Sequence, residues 1–197
     1  KNYKIIALDY ILKHKIDCNI SIFKKSIFAN KNYVGLKYSI IRDEFIKINL
    51  KPNKDIFFVS IGSSDIKNIK EKIKKIFLPH FKKVFLNDNL NRNQNHSKQK
   101  NYLKKMMSCK MAASNGGTTL LELLFLKKIV FVYPQNKHEL NFSKYLKKKG
   151  LIIFINVFNF DTKKFLKYKN KIQKNRQIDK FGVDRIYKII LNYRNEL

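Results

Sequence analysis

The chain has 197 residues, and 44% of them are hydrophobic, which is enough for one full domain with a core, or for one domain with part of another. This composition excludes a chain that is disordered throughout. The formal charge of +29 is typical of nucleic-acid-binding proteins, but nearly all of it comes from lysine rather than from arginine, the residue favoured for bidentate phosphate and base contacts.

The lysines are scattered over every segment and accompany an excess of Asn, Ile, Phe and Tyr. We interpret them mainly as a composition bias, with attraction to a small anionic substrate and nucleic-acid binding as alternatives. Cys18 and Cys109 lie far apart and indicate neither a metal site nor a disulfide framework, so we expect two buried thiols in a reducing compartment.

No apolar run approaches the roughly 18 residues of a membrane helix, and no signal-peptide pattern opens the chain. These features predict a cytoplasmic protein without a membrane span. Because the chain starts at Lys1 rather than Met, we also expect a further segment to precede it.

The predicted elements fall into two groups on either side of residues 49–54, a polar stretch with Pro52 that is the predicted linker. Before it, residues 3–9 and 17–23 are predicted strands, residues 24–33 are predicted to be irregular, and residues 35–45 are predicted to contain a short extended piece. After it, the predicted strands are residues 55–61, 81–86, 110–114, 129–133 and 151–155, and the predicted helices are residues 68–77, 102–108, 119–126, 139–149, 162–174 and 182–196. Residues 87–101 are a predicted surface loop. This alternation of strands and helices predicts an α/β fold with a parallel sheet and right-handed crossovers.

The first polar cluster is Gly62-Ser63-Ser64-Asp65, which follows a strand-length apolar run and precedes a helix. Gly62 would let the backbone approach a diphosphate, and Ser63 and Ser64 would donate hydrogen bonds to it. The alternative is an ordinary loop in which Ser64 or Asp65 caps the helix.

The second cluster is Asn115-Gly116-Gly117-Thr118-Thr119, at the start of an apolar helix. Exposed backbone N–H groups at a helix start suit a phosphate, and two glycines suit close contact with a ligand. Thr119 and Glu122 have the spacing of a capping box. Alternatively, the Glu122 carboxylate accepts both hydroxyls of a ribose, and the spacing alone leaves both interpretations open.

The third cluster follows the next strand, where Gln135 and Asn136 are predicted to bind a ligand. His138 and Glu139 are candidates for a catalytic role, with a cap or surface residue as the favoured interpretation of His138. Arg42 is predicted either to form a surface ion pair with Asp43 or Glu44 or to contact a phosphate or sugar. The sequence has no zinc-protease, hydrolase-triad or P-loop motif. It therefore predicts no metal and no cofactor, and it leaves the catalytic residue unassigned.

These clusters occur in an order that resembles a known family. The segment from Gly35 to Phe45, the segment from Val59 to Asp65, the turn from Asn115 to Glu122 and the residues Pro134-Gln135-Asn136 resemble the UDP-sugar hydrolases of pseudaminic acid biosynthesis and the related spore-coat polysaccharide proteins. These are similar in turn to the GT-B glycosyltransferases. The likeness runs from about Ile5 to the final helix.

The resemblance implies two Rossmann-like domains with the ligand between them. Residues 1–48 would be the tail of the first domain, residues 49–54 the linker, and residues 55–197 the nucleotide-binding domain, with UDP or a UDP-sugar as its partner. The resemblance also implies that Gly62 to Asp65 and Gly116 to Thr118 face the diphosphate. Glu122 would hold the ribose, and Arg42 and Asn136 would lie near the sugar.

The chain departs from the family at two places. Ser63 stands where the family usually has a second glycine, and the glycine-rich turn that carries the family's catalytic His has no counterpart here. The alternatives to a hydrolase or glycosyltransferase are therefore a lysine-rich nucleic-acid-binding module and a non-catalytic remnant or subunit that works with a separate N-terminal domain.

Overall fold

The computed structural model describes residues 3–9, 12–47, 51–62, 65, 68–87, 96–169 and 177–195, without the side chains of residues 96–100, 164, 166, 169 and 195. Two compact units are present: residues 1–41 together with 176–197 form the first unit, and residues 42–175 form the second. Residues 63 and 64 and residues 49 and 50 of the predicted linker lie outside the described residues. The predicted domain boundaries stay a prediction.

The strands are β1 Ile6–Leu8, β2 Ile16–Ser21, β3 Ala29–Val34, β4 Asn53–Ser60, β5 Lys83–Leu86, β6 Cys109–Ser114, β7 Ile129–Val132 and β8 Ile152–Phe154. The α-helices are α1 Asp43–Lys47, α2 Ile69–Phe77, α3 His96–Ser108, α4 Thr118–Phe125, α5 Lys137–Lys148, α6 Thr162–Lys169 and α7 Gly182–Asn195. Two short 3-10 helices span Leu36–Tyr38 and Leu78–His80.

The first unit is a three-stranded parallel sheet in the order β1-β2-β3 with α7 packed on it. Cys18 and Ile20 of β2 point toward Ile186 and Ile189 of α7, and all four side chains are buried. A Cβ on Gly182 would collide with the carbonyl oxygen of Ser39, so the absence of a side chain allows α7 to begin directly against the end of the 3-10 helix.

The start of α7 is further tied down by an ion pair. Arg185 donates from Nη1 and Nη2 to the two carboxylate oxygens of Asp179, both at 2.7 Å, and Nη1 also donates to the carbonyl of Lys37 at 2.9 Å. The hydrogen bonds from Arg185 lower the pKa of Asp179. Since both side chains are about one-third exposed, solvent screens the pair and limits its contribution to stability.

We expect Asp179→Asn to lower the free energy of unfolding by less than about 1 kcal/mol at pH 7. A carboxylate whose pKa is lowered by folding stabilises the protein above its unfolded pKa, and this contribution is lost as the pH falls through the folded pKa. The difference between wild type and variant in urea unfolding should therefore shrink as the pH falls below the unfolded pKa of about 4 and through the lowered folded pKa of Asp179. Arg185→Met should show the same pH dependence, and a difference that stays constant in acid would contradict this assignment.

The second unit is a five-stranded parallel sheet in the order β5-β4-β6-β7-β8. Its first strand in sequence, β4, lies between β5 and β6, so the chain first winds to one side of β4 and then to the other. This is the doubly wound order in which the direction of winding reverses beside the first strand. The predicted fold class, a Rossmann-like parallel sheet with flanking helices, is confirmed.

Helices cover both faces of this sheet. On one face, Phe57 of β4 stacks on Phe77 of α2 with ring centroids 4.0 Å apart, and Phe165 of α6 joins the same cluster. On the opposite face, Phe58 contacts Tyr102 of α3. Burial on both faces explains why β4 is a continuous apolar run rather than an alternating one.

Two sequence predictions about local structure were wrong, and one short helix was not predicted. Residues 29–34 form β3, although residues 24–33 were predicted to be irregular. The unpredicted helix is α1, residues 43–47. Helix α3 begins at His96, inside the predicted loop. These segments are polar or very short, so their sequence shows no clear periodicity. Their structure depends instead on pairing with a neighbouring strand or on the packing of a single buried residue such as Phe45.

Both cysteines are buried as expected, with no exposed surface at Cys18 or Cys109. Burial raises the pKa of both thiols, and that of Cys109 rises to about 12. Neither thiol is therefore a ready nucleophile at neutral pH. None of the helices in the described part of the chain combines the length and apolar character that crossing a membrane requires.

Candidate functional site

The candidate site lies at the carboxyl ends of β4 and β6, the neighbouring strands at which the winding of the second unit reverses. Ser60 and Ser114, the last residues of the two strands, are register partners. Ligands of open α/β sheets bind outside the carboxyl ends of the strands at this point of reversal. The turns that follow are the first two clusters singled out in the sequence.

The side chain of Asn115 links these turns to each other. A Cβ on Gly62 would lie 3.1 Å from Nδ2 of Asn115, so the turn after β4 runs directly beside this amide. The same Nδ2 donates to Oε1 of Glu139 in α5 at 2.7 Å. The other oxygen of that carboxylate, Oε2, accepts the backbone N–H of Gln135 at 2.8 Å. The turns after β4, β6 and β7 thus meet at one edge.

Helix α4 begins in this cluster without a side-chain cap. Gly117 is the N-cap residue, and it has no side chain that could accept from the first N–H groups of the helix. Thr118 is the first helical residue, so Thr119 lies inside the helix and cannot serve as the N-cap of a capping box with Glu122. The capping-box interpretation of Glu122 is therefore wrong, and the first N–H groups of α4 are left for another acceptor.

Glu122 instead pairs with Arg42. The Nε of Arg42 donates to Oε1 at 2.6 Å and Nη2 donates to Oε2 at 3.0 Å, a bidentate pair between residues 80 apart in sequence. The Glu122 side chain is only 7% exposed, whereas Arg42 is 39% exposed. Although burial alone would lower the pKa of Arg42, its hydrogen bonds and its attraction to Glu122 raise it. The predicted pairing of Arg42 with Asp43 or Glu44 is replaced by this contact.

Tyr102 of α3 completes the polar network on this face of the sheet. Its side chain hydrogen-bonds to Thr119 and Ser60, and burial raises the pKa of its hydroxyl. The guanidinium of Arg42 lies 6.0 Å from its ring centroid. The hydroxyl of Ser60 also accepts from Nδ2 of Asn87, the residue after β5, at 3.2 Å. The network therefore joins four elements around the start of α4.

Two buried polar atoms at the same edge have no hydrogen-bond partner among the described residues: the hydroxyl of Ser114 and Nε2 of Gln135. A buried polar group without a partner costs about 1–3 kcal/mol. Such groups in a native structure call for an explanation, and a ligand that supplies the missing partner is one.

Other predicted site residues serve helix ends. Asp65 accepts the backbone N–H groups of Ile69 and Lys70 at 2.7 and 2.9 Å, so it caps α2 as the alternative interpretation stated. Asn136 caps α5 by accepting the N–H of Glu139 at 2.9 Å. These contacts leave the predicted ligand roles of Asp65 and Asn136 untested. The predicted ligand roles of Ser63 and Ser64 fall on residues outside the described part of the chain.

Sequence reasoning assigned no role in the site to Tyr102 or Asn87, and it named Glu139 as a catalytic candidate rather than as a residue that positions a turn. Tyr102 and Asn87 fell in segments without a site-like pattern. One sequence feature indicates a structural role for Glu139: it stands three residues after Asn136, which is the spacing of the two partners in a capping box. Its contact with Asn115 depends on strand order and gives no sequence signal.

A separate cavity of about 130 Å³ opens near the ends of β7 and β8, on the face that carries α6. Its walls are mainly aromatic and aliphatic, with Phe131, Phe160, Phe165 and Tyr168 among them. None of the predicted site residues lines it. The polar network around α4 and this cavity are therefore different features of the second unit.

No protein-family model matches the chain, and no curated protein matches it. Among solved structures, the chain is similar to the glycosyltransferase of kitacinnamycin, with a TM-score of 0.47 and 13% identity over 64% of this chain and 38% of that chain. The chain thus spans well under half of that protein's length. At this distance the likeness concerns the fold alone.

Proposed function

We propose that the second unit binds a nucleotide sugar, with a UDP-sugar as the expected ligand, as part of a UDP-sugar hydrolase or glycosyltransferase of surface-polysaccharide biosynthesis. The observation that carries the proposal is the meeting of the Gly62 turn and the Asn115–Gly117 turn where the winding of the sheet reverses. Open α/β sheets use this place for nucleotides.

The proposed diphosphate position is the start of α4. Its first N–H groups carry a partial positive charge and lack a side-chain cap at Gly117, which favours an anion. Gly117 has no side chain that would obstruct a ligand, and Thr118 is exposed at the first helical position. Gly116 packs against Glu139 and holds this turn in place. No metal is required for this role, because N–H groups, hydroxyls and nearby cations neutralise a diphosphate.

The proposed ribose position is the carboxylate of Glu122. Arg42 occupies one lone pair on each oxygen, and a carboxylate oxygen has a second lone pair that accepts a hydroxyl. Arg42 uses Nε and Nη2 in this pair, so Nη1, which makes no hydrogen bond to the described residues, is the group proposed to bind a phosphate or sugar oxygen. We therefore propose that Arg42 and Glu122 bind the ligand as a pair.

Calorimetry with UDP and 2′-deoxy-UDP tests both parts of the proposal. We expect UDP to bind the full chain in the micromolar to millimolar range and 2′-deoxy-UDP to bind about tenfold more weakly, a loss of about 1.4 kcal/mol. Glu122→Gln should weaken UDP and leave the two ligands nearly equal. Glu71→Gln is the control, since Glu71 lies on the solvent side of α2 and pairs with Lys74.

Absence of heat at millimolar UDP from the folded chain would contradict the proposed ligand. A Glu122→Gln variant that still prefers UDP over the deoxy analogue would contradict the ribose role alone. Binding of DNA or RNA with a steep salt dependence, in a chain that does not bind UDP, would favour the nucleic-acid alternative.

A further inference from the structure

Glu139 is the contact between the second and third turns of the candidate site. It lies in the first turn of α5, and its own N–H is fixed by the side chain of Asn136 at 2.9 Å. From this anchored position its carboxylate accepts from the Asn115 amide and from the backbone of Gln135. A single side chain thus joins the turn after β6 to the turn after β7.

The hydrogen bond to Glu139 also fixes which way the Asn115 amide points. An ionised carboxylate only accepts hydrogen bonds, so Nδ2 must face Glu139 and Oδ1 must face the other way. In that orientation Nδ2 lies beside Gly62, and Oδ1 lies 3.5 Å from the position of a Cβ on Gly117. The orientation of one amide therefore sets what both glycine turns contact.

The backbone packing supports the same link. A Cβ on Gly116 would lie 2.6 Å from the Cβ of Glu139 and 2.8 Å from its Cα and carbonyl oxygen. The turn after β6 therefore rests directly on the first turn of α5. Glu139 thus contacts this turn twice: its carboxylate binds the Asn115 amide, and its Cα, Cβ and carbonyl oxygen lie against Gly116.

We propose that Glu139 is a positioning residue of the diphosphate site, which it serves by holding the Asn115–Gly117 turn against the turns after β4 and β7. The inference rests on the proposed function, since it assigns Glu139 a part in binding the same ligand. Glu139 itself does not touch the diphosphate. It acts through Asn115, whose amide lies beside both Gly62 and Gly117.

The test uses the ¹⁵N-labelled full chain, in which only six glycines are present. In Glu139→Ala we expect the amide signals of Gly62 and Gly117 to move, although neither residue is bonded to Glu139, while those of Gly35, Gly150 and Gly182 stay in place. UDP titration followed in the same spectra should give an affinity about tenfold or more below wild type, because small displacements of a binding group have large effects. Glu139→Gln, which keeps one acceptor, should fall between the two.

Two variants of the second unit are matched controls. Glu71→Ala removes the same charge from the surface of α2, where Glu71 pairs with Lys74. Ile73→Val trims a fully buried side chain of the core and lowers the melting temperature without touching the turns. Both should keep the wild-type affinity for UDP and the wild-type signals of Gly62 and Gly117.

Wild-type affinity in Glu139→Ala would overturn the inference, and so would an equal loss in Ile73→Val, since the effect would then follow stability alone. If the wild-type chain does not bind UDP, the proposed function fails by itself. The glycine signals then decide whether Glu139 orders the turns: unmoved signals overturn that role, and moved signals support it.

Discussion

Replacing Arg42 with methionine should lower the free energy of unfolding by roughly 2–3 kcal/mol at pH 7. Removing one partner of a fully buried ion pair costs about 3–5 kcal/mol, because the other charge is left without compensation. Glu122 is close to that limit with 7% of its side chain exposed, but Arg42 is 39% exposed. Solvent screening on the Arg42 side therefore reduces the expected effect.

Replacing the other partner, Glu122, should lower the free energy of unfolding by less than replacing Arg42 does. This difference between the two variants is the more specific part of the prediction. In Glu122→Gln, the half-exposed guanidinium of Arg42 can turn toward water, so we expect a loss of only about 1 kcal/mol. In Arg42→Met, the Glu122 carboxylate has no such route. The double variant Arg42→Met with Glu122→Gln should recover part of the loss, because no buried charge is left unpaired.

Urea unfolding of the three variants measures these differences directly. Arg42→Lys is a useful further variant, since lysine keeps the charge but cannot form the two parallel hydrogen bonds of a guanidinium. We expect it to be less stable than wild type and more stable than Arg42→Met. Equal losses in Arg42→Met and Glu122→Gln would contradict the assignment of the buried member of the pair.

Gly116→Ala should lower the free energy of unfolding by roughly 2–3 kcal/mol, which is at the upper end for an overpacked site. The new methyl group would lie 2.6 Å from the Cβ of Glu139 and 2.8 Å from two of its backbone atoms. Backbone atoms at the start of a helix cannot rotate away as a flexible side chain can. Either α5 or the turn after β6 must therefore shift.

The neighbouring glycine provides the matched control. A Cβ on Gly117 would meet its nearest neighbour, Oδ1 of Asn115, at 3.5 Å, which is ordinary contact, and its φ of −89° is open to alanine. We expect Gly117→Ala to lose no more than about 1 kcal/mol, mainly through the poorer N-cap. Thermal or urea unfolding compares the two, and equal losses would show that the turn is looser against α5 than the structure indicates.

These predictions depend on features that the sequence revealed to different degrees. The glycine turn before α4 was predicted within one residue, because two glycines followed by threonines and an apolar run are a local signal. The partner of Gly116 was not predicted. It lies in the first turn of α5, and no local pattern relates the two segments.

For Arg42 and Glu122, too, the sequence indicated the residues but not their contact. Each was singled out as a candidate from its neighbours in sequence, and each was given a local partner among its alternatives, Asp43 or Glu44 for Arg42 and the start of α4 for Glu122. The actual partners are 80 residues apart. A carboxylate buried by tertiary packing needs a cation, and only the folded arrangement determines which cation reaches it.

The sequence by itself determined the alternation of strands and helices in the second unit. The reason is that the helical period and the apolar runs of strands covered on both faces are patterns among neighbouring residues. It also determined that glycine-bearing turns follow β4 and β6. Only the tertiary structure decided that β4 and β6 are neighbours, since strand order depends on which apolar faces bury one another across distant segments. That order brings Gly62, Asn115 and Glu139 together, and the site follows from it.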